Sequence, residues 1–469
     1  MKMASPLDPV SNNSNETALN GSNRHSSTDK TTQERANALF QDAEILAPMV
    51  RASSTPLRSL ALSYGCDLVY SEEIVDRAIT STERIYNQKL KTIDYRKKMD
   101  SFSAKVQRRM AKNNDPLPTV LRIDPELERN KLIYQMGTGE SNLALSAAIM
   151  VQNDVDGIDV NMGCPKKFSV SGGMGAALLE DLPRACDIIS TLRRNMNVPV
   201  SCKIRLLKDD ASTVDFVTAL VKAGANAVAI HGREPGDESQ AGAKLDRLTN
   251  VVKLLKSSSI GVPIILNGDL YTRNDMVNMR RKTGADAVML ARPALFNASI
   301  FIKPPADEAE CVGEETRYGF DSKLLLSKTK VVQDYLVHAN TYDGHVKNIK
   351  YVICEMMTNR RTPTGLTPFL PINFPGGQTI NDICICKSMD HLCKIWDVSQ
   401  SATVSTTTAS DNSAGDLHRY DDRYFLDPET LRKERDTSEN VSNEFIKEEK
   451  KHDASKVDDE RESKKSRIE

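Results

Sequence analysis

Residues 157–178 (GIDVNMGCPKKFSVSGGMGAAL) concentrate the side chains in this chain that can do chemistry. A short apolar run, Gly157 to Val160, leads into a tight turn of small residues that presents Asn161 and Cys164, with Pro165 directly after the thiol. Lys166 and Lys167 follow, then a glycine-rich segment at Gly172, Gly173 and Gly175. In an α/β barrel the reacting groups sit on loops at the carboxyl ends of parallel strands, and this thiol has that setting. The competing reading is a small buried filler, a common place for a free cysteine.

Other apolar runs end in polar groups in the same way. The chain reads Ala47-Pro48-Met49-Val50, Gln135-Met136-Gly137, Lys203 and Arg205, His231-Gly232-Arg233, Asn267-Gly268-Asp269 and Ala291-Arg292 at successive strand ends. Polar groups at buried strand ends are costly unless they find partners, so their recurrence points to a shared polar ligand. Asn267, Gly268, Asp269, Ala291 and Arg292 place small residues, backbone N–H groups and a guanidinium beside the last two strands, the usual phosphate site of a barrel. Lys203 and Gln135 can bracket a planar, hydrogen-bonding ring, and a cation at the pyrimidine edge of a flavin would stabilise its reduced anion.

These residues need a scaffold that brings strand ends together. Eight candidate strands alternate with helical stretches: Glu44–Val50, Asp67–Glu73, Lys131–Gly137, Gly157–Gly163, Pro199–Leu207, Ala227–Arg233, Pro263–Leu270 and Ala287–Leu295. That alternation over residues 44–302 predicts a (β/α)8 TIM barrel of the α/β class. A doubly wound sheet would carry a glycine fingerprint after its first strand, and PMVRASSTP at 48–56 has none. Residues 76–130, dense in Lys and Arg at 89–112, read as a solvated excursion, with a polyanion-contacting flap as the alternative. An acidic linker is expected at 303–321 and a small all-helical domain at 322–398, where Ile349, Val352, Ile353 and Met356 share one face. Lys347, Lys350, Arg360 and Arg361 form a basic set there, and one last helix is expected at 381–397. Residues 1–43 and 399–469 are expected to be disordered tails.

The bulk properties narrow the setting. The chain has 469 residues, 39% hydrophobic, with a net charge of −1, so polyanion binding must come from local patches. Nine cysteines and a first segment without an apolar core predict reduced thiols and a cytoplasmic protein with a nuclear fraction. There is no run of 18 apolar residues, so no membrane span is expected. Cys384, Cys386 and Cys393 lack the partner spacing of a metal site, and no metal is expected.

Taken in order, APMVR (47–51), YQMGT (134–138), the long cysteine motif (157–179), CKIRLL (202–207), HGR (231–233), NGD (267–269) and ARPALFN (291–297) resemble the tRNA-dihydrouridine synthases, in particular the eukaryotic branch acting at tRNA position 20. The resemblance covers roughly residues 44–360. It implies an FMN enzyme that reduces the C5–C6 bond of a uridine in tRNA, with NADPH or NADH as the reductant. It further implies that Pro48, Met49, Val50, Gln135, Lys203 and His231 contact the flavin, and that Asn267, Gly268, Asp269, Ala291 and Arg292 hold its phosphate. Asn161 and Arg205 would face the uracil, and Cys164 would be the general acid. A thiol with an ordinary pKa of about 8.5 is mostly protonated near neutrality, which suits a proton donor. Lys166 and Lys167, with Arg273, Arg280, Arg281 and Lys282, are candidates for RNA backbone contact. The loop EPGDESQAG (234–242) departs from the family by being acidic, and no double-stranded-RNA-binding domain is evident in 399–469. Two other readings stay open: an FMN barrel acting on a small pyrimidine or enone, and a non-catalytic RNA-binding scaffold.

Overall fold

The structure, a computed structural model, describes residues 31–238, 241–303, 325–358, 378–399 and 404. Its strands in chain order are β1 (Glu44–Leu46), β2 (Leu68–Tyr70), β3 (Ile74–Val75), β4 (Thr82–Asn87), β5 (Thr92–Lys97), β6 (Thr119–Ile123), β7 (Leu132–Gly137), β8 (Gly157–Met162), β9 (Val200–Arg205), β10 (Ala227–His231), β11 (Ile264–Asn267) and β12 (Ala287–Leu290). β1, β2 and β7 through β12 pair in parallel, and the β2–β7 pairing closes them into an eight-stranded barrel. All eight strands expected from the sequence are present.

Alternation along each strand decides what the barrel encloses. On β8, Ile158, Val160 and Met162 join the large core beneath the surrounding helices. Gly157, Asp159 and Asn161 therefore point the other way, into the barrel. Ile45, Ala47, Leu68, Tyr70, Ile133, Ala229, Ile265 and Met289 form a second, separate core there. Ala36 and Phe40 belong to the same cluster.

Those two residues correct the expectation for 1–43. Residues Thr32–Phe40 form a helix, opened by a capping box between Thr31 and Glu34. The helix covers the amino-terminal end of the barrel. Gln33 and Asn226 exchange hydrogen bonds of 3.1 and 3.0 Å, and Arg35 donates to the Asn197 carbonyl. Burying Phe40 is worth about 2–3 kcal/mol, enough to hold a short helix that would not form alone. The eighth strand stops at Leu290 rather than Leu295, because Pro293 opens a short helix, Arg292–Phe296.

The excursion at 76–130 is not simply solvated. β4, β5 and β6 form an antiparallel sheet whose inner residues Ile93, Tyr95, Leu121 and Ile123 are buried. Tyr95 donates to the Met150 carbonyl, and Arg84 clasps Asp154 at 2.6 and 2.8 Å, fixing the sheet to the helix Ser141–Val151. Arg122 clasps Asp94 at 2.7 and 2.8 Å and also donates to the Tyr342 carbonyl. The helix Ala104–Asn113 is solvated, burying Met110 alone.

After the barrel, helix Lys328–Thr341 packs on the helix Thr55–Ser63, and helix Val346–Met357 packs on Lys328–Thr341 and on the short helix Arg292–Phe296. Ile349, Val352, Ile353 and Met356 are all buried, as their spacing requires. His338 hydrogen-bonds Ser59 at 2.7 Å, and Tyr64 donates to Asp334 at 2.6 Å. The expected last helix is two, Ile380–Ile385 and Met389–Ile395, because Ser388 caps a new start. Arg360 and Arg361, and most of both expected tails, lie outside the described residues.

Candidate active site

Strand register assembles the barrel mouth. Asn161 stands beside Lys203, Gln135 beside Asp159, and His231 lies between Arg205 and Asn267. These side chains share the inward face of their strands, so five strands deliver polar groups to one rim. Pro48, Met49 and Val50 are half-buried in the loop after β1, held where Ser53 donates to the Ala47 carbonyl and accepts from the Met49 N–H. Cys164 is half-buried on the loop after β8.

The charges are arranged in layers. Asp159 is fully buried and accepts from Gln135 at 2.8 Å and Ser201 at 2.7 Å. Burial raises its pKa to about 6 against the opposing pull of those bonds and Lys203. Lys203 has no hydrogen-bond partner among the described residues; burial, then Arg205, lowers its ammonium to about 8. His231 is pushed well below its ordinary value by burial and by Lys203, Arg205, Arg233 and Arg292 around it. It is therefore neutral near pH 7. Arg233 donates to its Nε2 at 2.9 Å, so Nδ1 carries the proton and is the donor that remains.

The cysteine loop is held from below. Asn161 Oδ1 accepts from the Gly163 N–H at 2.9 Å. Arg205 donates to the Gly163 carbonyl and the Glu234 carbonyl, each at 2.8 Å. Arg205 thus positions the loop with groups that sequence reasoning assigned to the uracil. Gly175 adopts φ +58°, and a side chain there would stand 2.6 Å from the Cys164 carbonyl oxygen, so the turn after the thiol needs glycine. Burial, then the neighbouring Glu73 carboxyl, raises the Cys164 thiol above its ordinary range. Lys166 and Lys167 are exposed on the outer side of the loop.

At β11 and β12 the expected phosphate contacts divide into two kinds. Asn267 donates its amide to the Met289 carbonyl at 2.8 Å and so ties the two strands together. The Asp269 carboxylate accepts from Arg233 at 2.7 and 2.8 Å, from Arg292 at 2.6 Å and from the Ala243 N–H at 2.6 Å. A carboxylate so engaged orients the two arginines; it is not itself an anion ligand. Arg292, Gly268 and Ala291 remain as the groups that could meet a phosphate. Two acids of the loop after β10 are likewise paired: Glu234 with Lys244 and Arg247, and Asp237 with Lys244.

Sequence reasoning missed Glu73, Asp159 and Ser201. Asp159 had a signal, a carboxylate at an inward position of an apolar strand. Glu73 had the strand-end signal too, since it closes the expected strand Asp67–Glu73; the structure stops that strand at Tyr70 and puts Glu73 in the link to β3. The donor set fits a flavin: an unpartnered ammonium, a neutral imidazole with a free N–H, and an arginine beside two small residues at the phosphate end. Among the described residues no group of His, Cys, Asp and Glu could hold a metal ion, and no helix is long and apolar enough to cross a membrane.

Comparison with known proteins agrees with this geometry. The family model described as dihydrouridine synthase matches residues 45–362. The tRNA-dihydrouridine(20) synthase of Schizosaccharomyces pombe is 35% identical over 326 residues, which is 68% of this chain and 60% of that protein. The Saccharomyces cerevisiae protein of the same name is 31% identical over 326 residues, 67% of this chain and 77% of that one. A tRNA-dihydrouridine(20a/20b) synthase-like protein of Homo sapiens is 27% identical over 275 residues, 58% of this chain and 74% of its own. The match covers the barrel with its cysteine loop and runs on into the helices that follow, and the chain belongs to the dihydrouridine synthase family.

Proposed function

We propose that this protein is an FMN-dependent tRNA-dihydrouridine synthase that reduces the C5–C6 bond of a uridine, at position 20, with NADPH or NADH as electron source. The observation that carries the reading is the rim itself: Cys164 on its glycine-dependent loop just after β8, whose Asn161 stands in register beside Lys203. Pro48, Met49, Val50, Gln135, Lys203 and His231 would hold the flavin ring, and Gly268, Ala291 and Arg292 its phosphate. Bound there, FMN would supply hydride chemistry.

The chain's own residues do the rest. Lys203 would offer a cation to the ring, and neutral His231 would offer a hydrogen bond without adding charge. Asn161 orients the base while Cys164 gives its proton to C5, breaking S–H as C–H forms. The target base is stacked in folded RNA and must be turned out to enter the mouth. Lys166 and Lys167, exposed beside the thiol, meet the backbone phosphates, so affinity falls as salt rises.

The test is turnover of unmodified tRNA by the purified protein with NADPH or NADH. Cys164→Ala is expected to keep its flavin absorbance and its tRNA affinity and to lose turnover by about 10²-fold or more. Normal turnover by that variant removes the proton-donor role. Loss of dihydrouridine elsewhere than position 20 in cells lacking the protein moves it to another branch.

A further inference from the structure

Among the described residues two aromatic side chains are exposed, Tyr86 on β4 and Phe168. A single exposed apolar side chain is ordinary; Phe168 is set apart by where it stands. It lies on the short helix Lys167–Ser171, which follows Cys164 almost directly. That helix is pinned to the thiol's own turn. The Cys164 carbonyl accepts from the Ala176 N–H, and the Ser169 carbonyl from the Met174 N–H, each at 2.9 Å. The two segments meet at Gly175, where a side chain would collide with the Ser169 hydroxyl and stand 3.0 Å from Cys164 Cβ. Ser169 is fully buried, so its neighbours Phe168 and Val170, turned about 100° to either side of it, are left in water. Phe168 is 50% exposed. Pro165, Lys166 and Lys167 are exposed with it, and residues 161–179 contain no acid. A π-face beside two exposed cations matches the chemistry of a splayed nucleic acid strand, whose bases stack while its phosphates take the charge.

We propose that Phe168 is a stacking platform for the nucleobase next to the turned-out uridine. This rests on the tRNA reading above and deepens it. Turning a base out of folded RNA breaks its stacking on the bases beside it and bares their faces. A phenyl ring set against one of those faces makes good part of that loss, as apolar wedges do where proteins unstack nucleic acid. Because the ring stands on the cysteine loop, seating it on the neighbouring base brings the thiol toward the flipped one. Phe168 touches no reacting atom, so it is a positioning residue. Every base has a π-face, so the platform accepts any neighbour.

The experiment measures binding of unmodified tRNA by the full-length protein at several salt concentrations. Phe168→Ala, at an exposed position, is expected to fold and to weaken tRNA binding about tenfold. The slope of log affinity against log salt should not change, because stacking releases no counterions, whereas Lys167→Gln should flatten it. Phe168→Tyr, which keeps the π-face, should restore the affinity. Unchanged affinity in Phe168→Ala, or a loss that Phe168→Tyr does not restore, overturns the proposal. A changed solution mass in Phe168→Ala with RNA binding intact assigns the patch to contact between copies of this chain and overturns it equally. The platform and the reaction fail separately. A protein that makes no dihydrouridine but loses tRNA affinity in Phe168→Ala at constant salt slope keeps the platform and discards the function. Normal affinity and turnover in Phe168→Ala keep the function and discard the platform.

Discussion

Asp159 holds neighbouring strands of the site together, accepting from Gln135 on β7 and Ser201 on β9. Its carboxyl is buried among Gln135, Ser201 and Lys203, and its pKa is raised to about 6. The unfolded chain ionises it near 3.9, so between pH 4 and 6 the folded state binds the extra proton. Stability therefore falls as pH rises through that window, by about 3 kcal/mol in total. Asp159→Asn should remove that loss, so thermal melts at pH 5 and pH 7.5 should differ less in the variant than in wild type. Lys203→Met makes a second test at this scale. With no cation at the ring edge, the bound flavin should become harder to reduce, read directly as a lower midpoint in a redox titration.

The elements divide by how their signals are written. Eight barrel strands were legible because each is a short apolar run ending in small or polar residues. Cys164, Asn161 and Lys203 were legible for the same reason, since each lies on or directly after such a run. The second strand was legible only in part: the expected Asp67–Glu73 is broken into β2 and β3, with Glu73 in the link and β3 pairing with β7. The helix Thr32–Phe40 was hidden in a polar, Ser- and Asn-rich context, and only Ala36 and Phe40 bury enough to hold it. Phe40→Ala should cost about 3 kcal/mol, seen as a lower denaturant midpoint at unchanged m-value. The helix Ala104–Asn113 carries Lys105, Arg108, Arg109 and Lys112, all exposed, and has no acidic residue. Reversing these four charges should weaken tRNA binding and flatten its dependence on salt, measured by filter binding, while leaving turnover at saturating tRNA unchanged.

At the scale of the whole molecule, His338 ties the helical domain to the barrel through Ser59. Burial lowers its pKa to about 4. A freed histidine takes a proton below about 6.5, and the docked one does not until far lower, so docking weakens as pH falls from 6.5 to 4. Trp396, the sole tryptophan and fully buried in that domain, should report the loosening as a red shift in emission over this window. His338→Gln should abolish the acid dependence.

The plugged floor of the barrel has a kinetic consequence. With Ala36 and Phe40 filling its amino-terminal end, a ring bound at the rim can be reached only from above. In the proposed reaction a nicotinamide and a flipped uridine would need the same doorway and could not occupy it together. Each must leave before the other arrives, which is ping-pong traffic: double-reciprocal plots at several tRNA concentrations should run parallel, and excess of either partner should inhibit the other competitively.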